Sequence, residues 1–300
     1  MARVTDYLRP DELKTIKNLQ LMAKRAVEGL ISGMHRSPHK GVSVEFAQLR
    51  EYVQGDEIRR VDWKVYAKTD RYYVREYEDE TNLRVTMLLD ASGSMGYAGE
   101  GRPTKHEYAV RTAAALAYLL LHQRDNVGMI SFDKKIKANI PPRSSMGHLI
   151  KLLDAMIESK PGGETDLGDV FHLLIPRLKR RGMVVIFSDC FGDMDSLIRS
   201  LAHFRTAGHE VILFHIVDPD ESDFPFREWT RFENLELAEN FRMVDPIHFR
   251  SAYLENYRNF ENQLQRACRR NQVDLVPLRT DKPFEDALAH YLMRRQTSSR

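Results

Sequence analysis

The sequence predicts a doubly wound α/β fold, in which helices cover both faces of a mostly parallel sheet. From position 83 onward, short apolar strand segments alternate with helical segments, as is typical of such folds. The strand segments include continuous apolar runs at 184–187 and 211–216, which suit strands buried on both faces. The segment 113–117 is apolar on nearly all sides of its helix, which indicates packing against a sheet.

The individual elements are predicted from the same periodicity. An apolar stripe at helical spacing predicts a first helix over 11–31, and aromatic and β-branched residues predict a strand over 72–78. Further strands are predicted at 83–89, 126–132, 135–140, 183–188, 210–217 and 273–278. Further helices are predicted at 105–123, 145–158, 167–178, 196–206, 248–270 and 284–294. The segment 224–245 interrupts the alternation and is predicted to be an inserted loop or hairpin.

These elements divide the chain into three parts. Residues 1–82 hold the first helix and a dense mixture of charged and aromatic side chains. Residues 83–222 hold the α/β domain. Residues 223–300 hold the insertion, a long helix, a last strand and a closing helix, which we expect to complete the same domain.

The composition argues against several classes of protein. The 300 residues include 45 Lys and Arg against 43 Asp and Glu, and the net charge of +2 argues against a globally basic nucleic-acid-binding protein. Two cysteines are too few for a disulfide-framed secreted domain and indicate a reducing compartment. No apolar run approaches the ~20 residues that span a bilayer, and the first residues lack a signal-peptide pattern. We therefore expect a cytoplasmic protein with no transmembrane segment.

Oxygen-bearing side chains follow two of the predicted strands and one loop. Asp90, Ser92 and Ser94 occupy alternate positions directly after the strand 83–89, and small residues between them permit a tight turn. Asp189 follows the strand 183–188, and Thr165 lies in a loop that leads into a predicted helix. Because ligands of open α/β sheets bind beyond the carboxyl ends of the strands, we expect these five side chains to converge.

The chemistry of these residues predicts a metal site. Two carboxylates held close together repel each other, and the pKa of one rises unless a cation neutralises them. Carboxylate and hydroxyl oxygens, without imidazole or thiolate, favour a hard ion such as Mg²⁺, with Mn²⁺ or Ca²⁺ as alternatives. Five side-chain oxygens, some acting through water, leave one coordination position for an outside ligand.

The pattern Asp90-x-Ser92-x-Ser94, followed by Thr165 and Asp189, resembles the metal-ion-dependent adhesion site of von Willebrand factor A domains. The resemblance covers residues 83–218, with a further extension to 281, and all five positions are intact. It implies that the first Asp and the two Ser bind the metal. It also implies that Thr165 binds when a ligand is present and that Asp189 binds directly or through water.

A second motif spans residues 41–68 and is similar to the signature of the domain of unknown function 58 family. Members of that family pair this segment with a von Willebrand-type domain and are commonly encoded beside MoxR-type AAA+ ATPases. The resemblance implies an adaptor or co-chaperone that helps such an ATPase act on a client protein. The matched positions are Gly41, Ser43, Glu45, Phe46, Leu49, Arg50, Tyr52, Gly55, Asp56, Arg59, Asp62, Trp63, Lys64, Ala67 and Lys68.

The charged aromatic segment around this motif has two interpretations. Arg59, Asp62, Trp63 and Lys64 could form a basic docking face for a partner. The same segment could instead form a network of Arg and Asp pairs with Trp63 packed beneath. We favour this structural interpretation for Arg59, Asp62 and Trp63.

The sequence therefore favours a non-enzymatic interaction module, in which Mg²⁺ captures an Asp or Glu of a partner protein. The alternative is a metal-dependent hydrolase, for example a phosphatase, that uses the same carboxylates. Phosphotransfer through Asp90 would more usually need a second Asp at the position of Ser92, and no known motif places a catalytic base. Cys190 is predicted to be a small buried residue. Nucleic-acid binding through the Lys and Arg residues between 35 and 75 is a weaker third hypothesis.

Overall fold

The computed structural model of the protein describes residues 45–53, 61–78, 83–163, 167–178, 180–233, 235 and 241–289. The described residues form two compact units, one within 30–82 and one within 83–300. The predicted helix over 11–31 lies outside the described residues. Among the described helices, none is both long enough and apolar enough to span a lipid bilayer.

The smaller unit contains the antiparallel strands β1 (Glu45–Glu51) and β2 (Tyr73–Glu78) and the helix α1 (Trp63–Thr69). The predicted strand over 72–78 is confirmed as β2. Neither β1 nor α1 was predicted from the sequence. The helix α1 has no buried residue, so it carries no apolar stripe by which periodicity could reveal it.

The larger unit is built on a six-stranded sheet. Its strands are β3 (Arg84–Asp90), β4 (Asn126–Phe132), β5 (Ile136–Arg143), β6 (Met183–Ser188), β7 (Glu210–Val217) and β10 (Asp274–Arg279). They lie in the order β10-β7-β6-β3-β4-β5, and within this sheet only β4 and β5 pair antiparallel. The predicted doubly wound, mostly parallel α/β fold is thus confirmed. The main helices are α2 (Lys105–His122), α3 (Gly147–Glu158), α4 (Leu167–Leu174), α5 (Met194–Thr206) and α7 (Pro246–Arg270).

The order of the strands determines where a ligand site can form. The strand β3 lies between β4 and β6. After β3 the chain forms β4 on one side of it and later forms β6 on its other side. Such a topological switch point opens a crevice at the carboxyl ends of the two central strands. Here those ends are Asp90 of β3 and Ser188 of β6, and the six residues of β6 are all buried.

Three predicted boundaries need correction. The helix α4 ends at Leu174 and a single 3₁₀ turn follows, because Pro176 cannot continue an α-helix. The strand β5 runs on to Arg143 through two prolines, which an edge strand tolerates. The helix α5 begins at Met194, because the side chain of Asp193 caps it by accepting from the backbone N–H groups of Asp195 and Ser196.

The insertion after β7 is a short helix followed by a hairpin. The helix α6 (Pro219–Asp223) was not predicted, whereas the hairpin of β8 (Thr230–Glu233) and β9 (Phe241–Val244) lies within the predicted insertion. The helix α7 leads to β10, which pairs parallel with β7 at the edge of the sheet. Residues 284–289 are helical, and the rest of the predicted closing helix lies outside the described residues.

Candidate metal centre

Asp90 lies at the carboxyl end of β3 and is only 1% exposed. Its Oδ1 accepts a hydrogen bond of 2.9 Å from the backbone N–H of Ser92, which turns the chain directly after the strand. Its Oδ2 accepts a hydrogen bond of 2.6 Å from the hydroxyl of Ser188 at the end of β6. Ser188 was not among the predicted site residues, although its place at the end of a buried strand beside Asp189 could have indicated it.

The two serines of the motif lie side by side. The Oγ atoms of Ser92 and Ser94 are 3.1 Å apart, and Ser94 begins a short 3₁₀ turn. Neighbouring ligands of an octahedral Mg²⁺ ion, each about 2.1 Å from the metal, are separated by about 3.0 Å. The spacing of the two hydroxyl oxygens therefore suits two adjacent positions around one Mg²⁺ ion.

Backbone hydrogen bonds attach the loop that precedes Thr165 to the serine loop. The N–H of Gly162 donates to the carbonyl of Ala91 over 3.0 Å, and the N–H of Gly93 donates to the carbonyl of Gly163 over 2.8 Å. Gly163 has a φ of +82°, a conformation that favours glycine. Thr165 itself lies outside the described residues, two positions after this attachment.

Asp189 follows β6 and shares its site with a lysine that the sequence analysis missed. The Nζ of Lys105, at the start of α2, lies 2.7 Å from Asp189 Oδ2 and also contacts the carboxylate of Glu221. The other oxygen, Oδ1, accepts from the N–H of Phe191 over 3.1 Å, and the hydroxyl of Ser94 also donates to this carboxylate. In the sequence, Lys105 was marked only by its place at the start of a strongly apolar helix.

The two carboxylates differ in electrostatic environment. Burial, together with the charge of Asp189, raises the pKa of Asp90 to about 7. Burial opposes the charged form of Asp189 as well, but the Lys105 ammonium and the hydrogen bonds from Phe191 and Ser94 hold the pKa of that carboxyl below its usual value. Burial also disfavours the charged form of Lys105, but Asp189 and Glu221 together raise the pKa of this ammonium above its usual value.

A second carboxylate network fixes the segment between the serine loop and α2. Asp218, which is fully buried after β7, accepts hydrogen bonds from Gly99, Arg102, Asp220 and Thr280. The guanidinium of Arg102 lies 2.9 Å from Asp218 and 2.8 Å from Asp220. This network holds the chain just ahead of α2 and therefore fixes the start of the helix that carries Lys105.

The candidate docking residues lie in the smaller unit. The side chain of Asp62 caps α1 by accepting from the N–H groups of Lys64 and Val65. The expectation that Trp63 packs beneath the segment is wrong, because its side chain is 56% exposed at the start of a helix with no buried residue. Lys64 is also exposed, and Arg59 lies outside the described residues.

The donor atoms fit a hard divalent cation. Asp90 is buried, and no Lys or Arg in the described part of the chain forms an ion pair with it. The oxygens of Ser92, Ser94 and Asp189 complete a set without nitrogen or sulfur, which is the set that Mg²⁺ favours. Within the described ranges, no three His, Cys, Asp or Glu side chains form a group that could hold a metal ion.

Comparisons with known proteins place the chain in a family. The uncharacterized protein Rv1480 of Mycobacterium tuberculosis is 25% identical over 294 residues, which cover 96% of this chain and 90% of that protein. The crystal structure of the conserved hypothetical protein BatB from Bacteroides thetaiotaomicron aligns with a TM-score of 0.44 at 16% identity, covering 72% of this chain and 99% of BatB. The SpRpn10 VWA domain aligns with a TM-score of 0.41 at 16% identity, covering 70% of this chain and 95% of that domain. The family model described as "Protein of unknown function DUF58" matches residues 48–263, and the chain belongs to this family.

Proposed function

We propose that this chain is a divalent-metal-dependent protein-interaction module. In this proposal Asp90, Ser92, Ser94, Thr165 and Asp189 hold Mg²⁺, with Mn²⁺ or Ca²⁺ as alternatives. The observation that carries the proposal is the buried Asp90 carboxyl beside two hydroxyl oxygens at the spacing of adjacent Mg²⁺ ligands. The metal would supply a positive charge that binds an Asp or Glu carboxylate of a partner.

The surroundings of the site support recognition of a protein. Phe191, two residues after Asp189, is 67% exposed, while its backbone N–H is bound to Asp189 Oδ1. The exposed ring of Phe191 therefore provides apolar contact area beside the proposed metal ion. Apolar contact adds selectivity to an ionic interaction that any carboxylate could make.

The chemistry near Asp90 supports binding without turnover. Cys190 is buried, as predicted, and burial raises the pKa of its thiol well above the usual value, which disfavours a nucleophilic thiolate. Burial lowers the pKa of His215 to about 4, and the Nε2 of this histidine lies 3.0 Å from the carbonyl oxygen of Asp189. His215 is therefore already engaged and is poorly placed to act as a general base for a hydrolase.

The family resemblance supports a more specific role. It implies an adaptor or co-chaperone that works with a MoxR-type AAA+ ATPase on a client protein presenting Asp or Glu. We place this activity in the cytoplasm, where reduced cysteines are the rule. Cys190 and Cys268 are both free and buried, in accord with that location.

Binding between purified partners tests the proposal. The immobilised chain is expected to retain a MoxR-type ATPase or its client in Mg²⁺ and to release it in chelator. Asp90→Asn should abolish retention. Asp125→Asn should not, because Asp125 is an equally buried carboxyl that precedes β4 at the opposite end of the sheet. Metal-dependent phosphatase turnover that is lost in Asp90→Asn would instead establish the hydrolase.

A further inference from the structure

Lys105 is a buried cation that has no place in the ligand set described above. It is the first residue of α2 and its side chain is 1% exposed. Its Nζ lies 2.7 Å from Asp189 Oδ2 and also contacts Glu221 Oε1. A buried ammonium is costly unless it is paired and hydrogen-bonded, and these two carboxylates meet that requirement.

The two carboxylates of the site, Asp90 and Asp189, differ in their contact with Lys105. Asp189 Oδ2 is bound to the Lys105 ammonium, and Oδ1 accepts from the N–H of Phe191. In the described part of the chain, the hydrogen bonds to Asp90 come from neutral donors, Ser92 and Ser188. Among these residues, one carboxylate therefore already has a cation, and the other does not.

We infer that Lys105 is a resident counter-ion that competes with the divalent cation for Asp189 and thereby limits the metal affinity of the site. This inference rests on the proposed function, because it concerns the same metal centre. A divalent ion that binds Asp189 must share this carboxylate with the Lys105 ammonium, whose Nζ lies 2.7 Å from Asp189 Oδ2. The two cations then repel each other. The repulsion is strong because the site is shielded from water.

Glu221 provides the lysine with an alternative partner. Its Oε1 contacts the Lys105 ammonium, while its Oε2 accepts from the N–H of Asp218 over 2.9 Å in the cap of α6. The cap fixes Glu221 in position on the β7 side of the site. When a metal binds Asp189, Lys105 keeps its ion pair with Glu221. This remaining pair lowers the free-energy cost of sharing Asp189 between two cations. Glu221 therefore favours metal binding, whereas Lys105 opposes it.

Two single variants should then change Mg²⁺ affinity in opposite directions. We expect calorimetric titration of Mg²⁺ to give Lys105→Met a Kd at least tenfold lower than that of the parent. We expect Glu221→Gln to have a Kd several-fold higher. If these residues only supported the fold, both variants would bind Mg²⁺ more weakly. A Kd for Lys105→Met that equals or exceeds that of the parent would overturn the inference.

A double variant covers the case in which Lys105→Met fails to fold. Lys105→Met with Glu221→Gln removes one charge of each sign and leaves a single unpaired carboxylate. It should bind Mg²⁺ more tightly than Glu221→Gln alone, and weaker or equal binding would overturn the inference. If Asp90→Asn abolishes Mg²⁺ binding but Lys105→Met leaves the Kd unchanged, the proposed metal site stands and the inferred competition by Lys105 is wrong. Absence of Mg²⁺ binding by the parent and by both lysine variants would overturn the metal site itself.

Discussion

The hydroxyl of Ser188 donates a 2.6 Å hydrogen bond to Asp90 Oδ2 and so joins the carboxyl ends of the two central strands, β6 and β3. Ser188 Oγ also accepts from the N–H of Cys190, whose φ of +57° is unusual for a residue other than glycine. The same serine therefore supports the candidate metal carboxylate and shapes the turn that carries Asp189.

Removal of this hydroxyl should weaken metal binding in a pH-dependent way. The bond favours the charged form of Asp90, so Ser188→Ala should raise the pKa of this carboxyl from about 7 to a higher value. At pH 7 we expect the Mg²⁺ Kd to increase about tenfold, and at pH 8.5 the loss should shrink because Asp90 ionises there. Ser200→Ala, which removes another buried hydroxyl, serves as the control. An equal loss at both pH values would contradict this prediction.

Asp125 should make the stability of the fold depend on pH. Burial raises the pKa of this carboxyl from 3.8 to about 7. Within the described residues, its Oδ1 accepts from the N–H of Leu83 and its Oδ2 has no hydrogen-bond partner. Between these two pKa values the folded state holds a proton that the unfolded state has lost. Stability therefore falls as pH rises from about 4 to 7.

Asp125→Asn should remove this dependence, because the amide oxygen can still accept from Leu83. Relative to the parent, the variant should gain up to about 4 kcal/mol of unfolding free energy between pH 4 and pH 8. Urea denaturation at several pH values measures the gain. A constant difference between the two proteins across that range would show that Asp125 ionises normally.

Asp218 should contribute to stability through its charge. It accepts five hydrogen bonds in a buried position, two of them from the guanidinium of Arg102. Asp218→Asn keeps Asp220 as the ionic partner of Arg102 but replaces one acceptor oxygen with an NH₂ group that faces other donors, and it should cost about 3 kcal/mol in urea denaturation. Asp223→Asn weakens the exposed pair with Arg279 and should cost less than about 1 kcal/mol. Similar costs for the two variants would contradict the importance of this network.

Acid should destabilise the protein through the same residue. Burial alone would raise the pKa of Asp218, but its hydrogen bonds from Asp220, Arg102 and Thr280 hold that pKa below 3.8. The stabilisation is present above pH 4 and is lost as pH falls through the lower pKa of the folded state. Asp218→Asn should therefore lose less stability than the parent between pH 5 and pH 3, as measured by urea denaturation. A parallel loss in both proteins would contradict the shift.

Gly182 should be essential for the contact between β6 and β3. A Cβ at this position would lie 2.4 Å from the backbone carbonyl oxygen of Arg84, so the strands would have to shift. Gly182→Ala should lower the unfolding free energy by about 2 kcal/mol. Gly147→Ala, at the start of α3, meets nothing within 4 Å and should stabilise the protein by about 0.5 kcal/mol. Destabilisation of equal size in both variants would contradict this packing.

The sequence was most informative where burial is complete. The strands 126–132, 183–188 and 210–217 were predicted with their observed limits, and the last two contain the apolar runs 184–187 and 211–216 that are typical of buried parallel strands. The exposed helix α1 was missed, because no apolar stripe marks it. Pro176 indicates that α4 ends early, but the prediction followed the apolar periodicity and extended the helix to 178.

The candidate site was partly predictable for a similar reason. Asp90 and Asp189 follow apolar strands, and strand polarity alone brings such residues to one edge of a sheet. Lys105 and Glu221 reach the site from the starts of two helices, and no local pattern reveals which way their side chains turn. The ion pair of Lys105 with Asp189 is supported by the Asp218 network, which fixes the chain ahead of α2.

The most direct test of the metal site is a calorimetric titration of Mg²⁺ into metal-stripped protein, with Asp90→Ala and Asp125→Asn alongside. We expect saturable binding at one site in the parent and in Asp125→Asn. We expect no binding by Asp90→Ala, with the circular dichroism of the folded protein retained. Binding by Asp90→Ala with the affinity of the parent would contradict the proposed metal site.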